Sequence, residues 1–381
     1  MFFSKNIILV TLLVLGAAAL VFAFNAPLSI PQSPPPRILP PAISEMASAT
    51  STIATTSVTT ATKTTPLKAL CTGKDETNFD CYEAYYHDLV VQQGTKRAFA
   101  DIKKAYGENS YVRSQCHPLV HIIGQATAQK YDKPLEAYLE GDPFCWSGFY
   151  HGVMEALIAK IGRKNIVAKL DTICTDIPGR ASYSFDYYNC VHGLGHGLME
   201  VTGDELFEAL EMCNGLTGHW EQESCWGGVF MENIIIDGKN HVTKYLKPSD
   251  PVYPCNAVDE RYKERCYVMQ TSYMMKTTGS NFVKIFEICK GVDANYVNTC
   301  YESLGRDASG STTSDNTRTN AICLLGQGSD QQLHCVIGAV KDFISYYHSD
   351  VKARELCGTF PDAIKQTCLA TADSYYTSFK K

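Results

Sequence analysis

Apolar residues recur along most of this chain at intervals of three and four. Leu206, Leu210 and Cys213 do so before one group of turn-forming residues, and Phe282, Ile285, Phe286 and Cys289 before another. That spacing is the mark of an α-helix with one buried stripe. Gly, Pro, Asn and Asp gather between such stretches, as in Cys255–Asp259 and Cys357–Asp362, where they favour turns. No run alternates apolar and polar residues as a half-buried strand would. The predicted class is all-α.

The cysteines keep the same beat. Cys71 and Cys81, Cys174 and Cys190, Cys213 and Cys225, Cys255 and Cys266, Cys289 and Cys300, Cys323 and Cys335, and Cys357 and Cys368 form close couples. Most couples enclose 9 to 11 residues, and Cys174/Cys190 encloses 15. Cys116 and Cys145 remain and make the eighth pair. The couples return after about 35 residues, the period of helix–turn–helix arrays. Each unit therefore reads as a helix, a first cysteine, a short turn, a second cysteine and a second helix. A disulfide at each joint is worth roughly 3 kcal/mol by the chain-entropy estimate. Stacked units predict a helix–turn–helix repeat solenoid over 67–381, with one continuous core. The interval from Cys81 to Cys145 departs from the simple couple. Pro248, Pro251 and Pro254 break the helix before Cys255. The polar stretch Ser309–Asn320 is expected to be a mobile loop.

The amino-terminal segment accounts for so many cysteines. Ile7–Phe24 is an uncharged apolar run of 18 residues following Lys5. It suits either a signal-anchor that spans a membrane or a signal peptide cleaved after Ala23, so 1–24 is assigned to that role. Both readings export the remainder, single-pass anchored or secreted, into an oxidising compartment where cysteines pair. Residues 25–66 are Pro-rich, then rich in Ser and Thr, with too little apolar surface to fold. They read as a disordered stalk. The formal net charge of −6, without a Lys/Arg run, gives no reason to expect nucleic acid.

Period and cysteine placement from Cys71 to Cys368 resemble disulfide-stapled helical-repeat proteins of the tetratricopeptide and Sel1-like type. The consensus residues of those families are mostly absent. The resemblance implies an architecture and carries no function.

Candidate chemistry lies in a repeated phrase. Cys145–Glu155 reads CWSGFYHGVME and Cys190–Glu200 reads CVHGLGHGLME, and a fading copy, CWGGVFMEN, spans Cys225–Asn233. Counted from each cysteine, His151 matches His196 and Glu155 matches Glu200. Three i,i+4 pairs arise in successive helices: His117/His121, His151/Glu155 and His192/His196. Side chains at that spacing leave a helix on one face and can chelate one ion. Imidazole with carboxylate suits Zn, Fe or Mn, and imidazole alone also suits Cu. An open coordination position would make such an ion hydrolytic or oxygen-activating. The predicted metal ligands are His151, Glu155, His192, His196, Glu200, His117 and His121, with no catalytic residue assigned.

Two non-metal readings compete. The histidines can be packing residues of a scaffold that binds a protein or glycan partner on its concave surface, or the chain can be a structural cell-surface component. His87, His219, His241, His334 and His348 have no partners by spacing. Trp146 and Trp226 are expected as core aromatics against the disulfides, and Arg306–Asp307 as an ion pair. No nucleophile elbow, phosphate-binding loop, dinucleotide fingerprint or haem-attachment motif occurs.

Overall fold

The structure, a computed structural model, describes residues 70–235 and 243–379, all within one compact unit, Ala61–Lys381. The apolar run 7–24, the stretch 25–66 and His241 lie outside the described residues. Among the described residues there is no strand, only an isolated bridge between Lys247 and Asp250. No helix among them is long and apolar enough to cross a membrane.

The helices of seven or more residues are α1 (Phe79–Gln93), α2 (Thr95–Glu108), α3 (Cys116–Ala128), α4 (Gly148–Ile161), α5 (Phe185–Thr202), α6 (Leu206–Cys213) and α7 (His219–Ile234). They continue with α8 (Glu260–Thr278), α9 (Phe282–Lys290), α10 (Val297–Ser311), α11 (Asn316–Cys323), α12 (Ser329–Tyr347), α13 (Val351–Cys357) and α14 (Asp362–Phe379). From α5 onward, short helices alternate with long ones, except that the long α7 is followed directly by the long α8. All eight expected disulfides form; three of the short helices end on the first cysteine of a pair and α9 ends one residue past it, and in each case the second cysteine lies in the following long helix. The remaining pairs are Cys71–Cys81, Cys116–Cys145, Cys174–Cys190 and Cys255–Cys266.

Local chemistry sets the helix ends. Ser184 caps α5 by accepting from the Tyr187 amide, and Gly203 closes it in the left-handed region. The stretch expected to be a mobile loop is instead the end of α10, a four-residue link and α11. Asp315 caps α11 through the Arg318 amide, and the buried Thr312 and Thr319 hydroxyls bond to each other at 2.8 Å. Short hydroxyl side chains satisfied locally let a polar sequence pack.

The long helices pack side by side in chain order: α3, α4, α5, α7, α8, α10, α12, α14. Buried apolar residues form two clusters that meet at α8, one reaching Met269 and the other starting at Met274, where a single core was expected. The row also curls back on itself. Trp146, just ahead of α4, donates from Nε1 to Asp342 Oδ1 on α12 at 3.0 Å, and its ring lies 4.7 Å from Tyr346. Trp146, partly buried and packed against the first cluster, is thus also a cross-array contact. Burial raises the Asp342 carboxyl to about 6, against the opposing pull of its Ser309 hydrogen bond and Arg306. Trp226 is buried as expected, with Nε1 bonded to Asn214 Oδ1 at 3.1 Å.

Paired glycines decide how closely neighbours approach. At α3/α4 they are Gly124 and Gly152, at α5/α7 Gly195 and Gly228, and at α10/α12 Gly305 and Gly338. A methyl group on any of the six would overlap a main-chain carbonyl oxygen of the facing helix. Backbone cannot yield as a flexible side chain does, so Gly305→Ala is expected to destabilise by about 1–3 kcal/mol or more, the ordinary range for overpacking. Gly107, helical and with open space around it, should behave oppositely: Gly107→Ala gains about 0.5–1 kcal/mol. Chemical denaturation of the two variants beside the parent checks both signs.

Candidate metal centre

Five of the histidines converge where α3, α4 and α5 pack together. His121, His151, His192 and His196 are buried, and His117 keeps a partly exposed edge. Ring centroids of His117 and His121 lie 4.8 Å apart, those of His151 and His192 4.9 Å, and His151 stacks on His196 at 4.6 Å. The His192 and His196 pair sits mid-helix rather than near a helix start, because α5 begins at Phe185.

The outer partners fix which nitrogen points inward. His117 Nδ1 lies 2.8 Å from the Cys145 carbonyl oxygen. His121 Nδ1 lies 2.8 Å from Glu155 Oε1. His196 Nδ1 lies 2.7 Å from Glu232 Oε2 and 3.5 Å from Glu155 Oε1. A carbonyl and a carboxylate only accept, so each of these Nδ1 atoms carries the proton and each Nε2 carries the lone pair. Yet His117 Nε2 and His121 Nε2 stand 3.1 Å apart. Two lone pairs at that distance repel unless a cation lies between them. A proton can fill the role, and so can a metal: tetrahedral Zn–N bonds of about 2.0–2.1 Å place two nitrogens roughly 3.3 Å apart. In addition, His151 Nδ1 and His192 Nε2 are buried with no hydrogen-bond partner among the described residues.

Electrostatics keep three of these rings, His117, His151 and His192, neutral. Burial, with the neighbouring His121 imidazole adding to the effect, pushes His117 down to about 3, against the opposing Cys145 hydrogen bond. Burial likewise lowers His192 to about 3, with the Ser224 carbonyl opposing, and drives His151 well below its ordinary value, with the neighbouring imidazoles adding to the effect. Neutral imidazole is the form that binds a metal. The Tyr188 hydroxyl sits 3.2 Å from His192 Nδ1.

Backbone strain borders the site. Cys145, Trp146 and Ser147 are three successive non-glycine residues at φ 58°, 54° and 62°. Left-handed residues of this kind cost roughly 1–2 kcal/mol each and persist only where the surroundings over-determine them. Here the turn holds the Cys145 carbonyl on His117 and the Trp146 indole on Asp342.

The carboxylates differ from expectation. Glu155 does not pair with His151. It accepts from His121 and from Gln125 Nε2, the latter at 2.7 Å, and lies across from His196. Such a carboxylate behind an imidazole fixes its orientation and raises its basicity. Because Glu155 stands opposite His196, the two repeated phrases are out of step by one helical turn. Glu200 then falls about 6 Å farther along the helix axis and is exposed, outside the site. Its place is taken by Glu232, which counting from Cys225 does not flag. His121, Glu155, His196 and Glu232 also bring one ligand atom each within 4.8 Å of one another, on the side where the Nδ1 protons already bond the carboxylates. Arg306 and Asp307 form their expected ion pair at 2.9 Å.

The neutral rings set a pH dependence for the metal-free protein. The unfolded chain takes up imidazole protons below the ordinary value of 6.5, while folded His117 and His192 resist until about 3. Between those limits the unfolded state binds more protons, so stability falls as pH falls. After chelation, the denaturation midpoint should drop steadily from pH 7 to pH 5, and the drop should shrink in His192→Gln. A flat profile would refute the neutral assignment.

No protein-family model, no curated protein and no solved structure matches this chain, so its chemistry is read from these residues alone.

Proposed function

We propose that this is an exported metalloprotein whose ion is held by the Nε2 face of the histidine cluster. The supporting observation is the facing His117 and His121 Nε2 atoms, each with its Nδ1 committed to an acceptor. His151, His192 and His196 complete the donor set, and Glu155 and Glu232 orient it. Eight disulfides among the described residues agree with an oxidising compartment. On this reading the helical array is a repeat solenoid of the disulfide-stapled type. The apolar run 7–24 directs or anchors the chain, and 25–66 spaces it from the membrane.

Imidazole donors fit Zn, Fe, Mn or Cu. The partly exposed edge of His117 gives solvent a route to the ion. An ion held by three imidazoles retains an open position, where Zn would lower the pKa of a bound water to near 7. Hydrolysis by metal-activated water is the reaction class this arrangement serves best, with oxygen activation following if the resident metal is iron or copper. The Tyr188 hydroxyl, 3.2 Å from His192 Nδ1, orients that ring from behind and leaves its Nε2 for the ion.

Elemental analysis of the full chain tests the reading, using protein made through an oxidising secretory route without a polyhistidine tag. Stoichiometric metal is expected, with loss in His121→Ala/His151→Ala at unchanged helical content. Glu200→Ala should retain the metal. Glu232→Gln should weaken binding about 10–100-fold, the usual cost of removing an orienting carboxylate. Absence of metal after incubation with Zn²⁺, Fe²⁺, Mn²⁺ and Cu²⁺ would favour a scaffold whose histidines only pack.

A further inference from the structure

We infer that the cluster is built for two divalent metal ions that share His151, an inference resting on the metal reading above. The five imidazoles do not make one ligand set. His117, His121 and His151 bring one ligand atom each within 4.8 Å of one another, and His151, His192 and His196 do the same. His151 alone belongs to both triads. Its ring centroid lies 5.3 and 5.4 Å from those of His117 and His121, and 4.9 and 4.6 Å from those of His192 and His196.

Coordination chemistry turns that division into a count. A zinc-like ion takes about four ligands, and its catalytic sites commonly use three from the protein. Five imidazoles exceed what one such ion holds while keeping an open position. Divided into two triads that meet at His151, they give each ion three imidazoles and an open position. An imidazole has two nitrogens and can serve one ion through each, once its N–H proton has passed to solvent. His151 fits this role, because its Nδ1 is buried and without a hydrogen-bond partner among the described residues. His192 Nε2, likewise buried without such a partner, belongs to the second triad, so the unanswered atoms are not confined to one side.

Charge then names the class of the remaining ligand. Two divalent ions bring four positive charges. Glu155 and Glu232 supply two negative charges, and a bridging His151 imidazolate supplies a third. Buried charge is costly unless compensated, so the open positions take an anion: hydroxide in the resting protein, and a carboxylate or phosphate group of a substrate in use.

The test is a Co²⁺ titration of the chelator-stripped full chain, followed by visible absorption and by elemental analysis after desalting. The parent is expected to bind two equivalents. His117→Gln and His192→Gln should each bind one, by losing different triads, while His151→Gln loses both. Circular dichroism and intact disulfides confirm folding, and His121→Gln or His196→Gln replaces a variant that fails to fold. One equivalent in the parent, retained in both single variants, would overturn the two-ion inference and leave the metal reading standing. Two equivalents that both survive, or both vanish, in the His117 and His192 variants would also overturn it. No Co²⁺ bound by the parent would remove the metal reading itself.

Discussion

Close approach of helix backbones is the constraint on which this site depends. An imidazole is short, and rings on neighbouring helices meet only if the helices nearly touch. The glycine pairs at α3/α4 and α5/α7 allow this, and the carbonyls that a methyl on Gly152 or Gly228 would strike belong to His121 and His192. The glycines that weaken these helices by propensity are therefore the residues that assemble the histidines. The same device at α10/α12, where Gly338 meets the Glu302 carbonyl, carries no histidine cluster. Tight packing is a property of the array, and the chemistry is grafted onto one part of it.

Burying these imidazoles together opposes charging His117, His151 and His192. That keeps lone pairs available, and it explains why acceptors crowd the outer edge: the Cys145 carbonyl, Glu155 and Glu232 each claim an Nδ1 proton. Glu155 bridges His121 and His196 and is itself held by Gln125. A polar ladder of Gln125, Glu155, His196 and Glu232 thus runs across four helices. It fixes ring orientation and leaves the Nε2 atoms of His117 and His121 facing each other. The strained turn at Cys145–Ser147 extends the same logic. Its cost is tolerated where it aims a carbonyl at His117 and joins the far end of the array through Trp146 and Asp342.

Much of this was legible in the sequence. The helical class followed from the spacing of apolar residues, and the disulfide pairing from the regular couples, because a local staple forces its two cysteines to be near neighbours in sequence. The histidines were legible because i,i+4 spacing survives any packing arrangement. Glu155 was legible as a member of the cluster, but its partners and the role of Glu232 were not, since which residue faces which histidine depends on helix register. Counting from Cys145 and Cys190 aligned Glu155 with Glu200, whereas the fold sets Glu155 against His196. The glycines held the missing signal. Aligning Gly152 with Gly228, which strike the carbonyls of His121 and His192, is the comparison that brings α7 and Glu232 into view. The buried link at Thr312 was missed because a polar composition conceals hydroxyls that bond one another.

X-ray absorption at the zinc, iron, manganese and copper edges, on the full chain made through an oxidising secretory route, tests whether the imidazoles hold an ion. A shell of nitrogen or oxygen neighbours is expected, at about 2.0–2.1 Å for zinc, with the outer-shell scattering of several imidazole rings and no sulfur. A metal coordinated by sulfur, one lacking imidazole scattering, or no absorption edge above background would contradict that expectation.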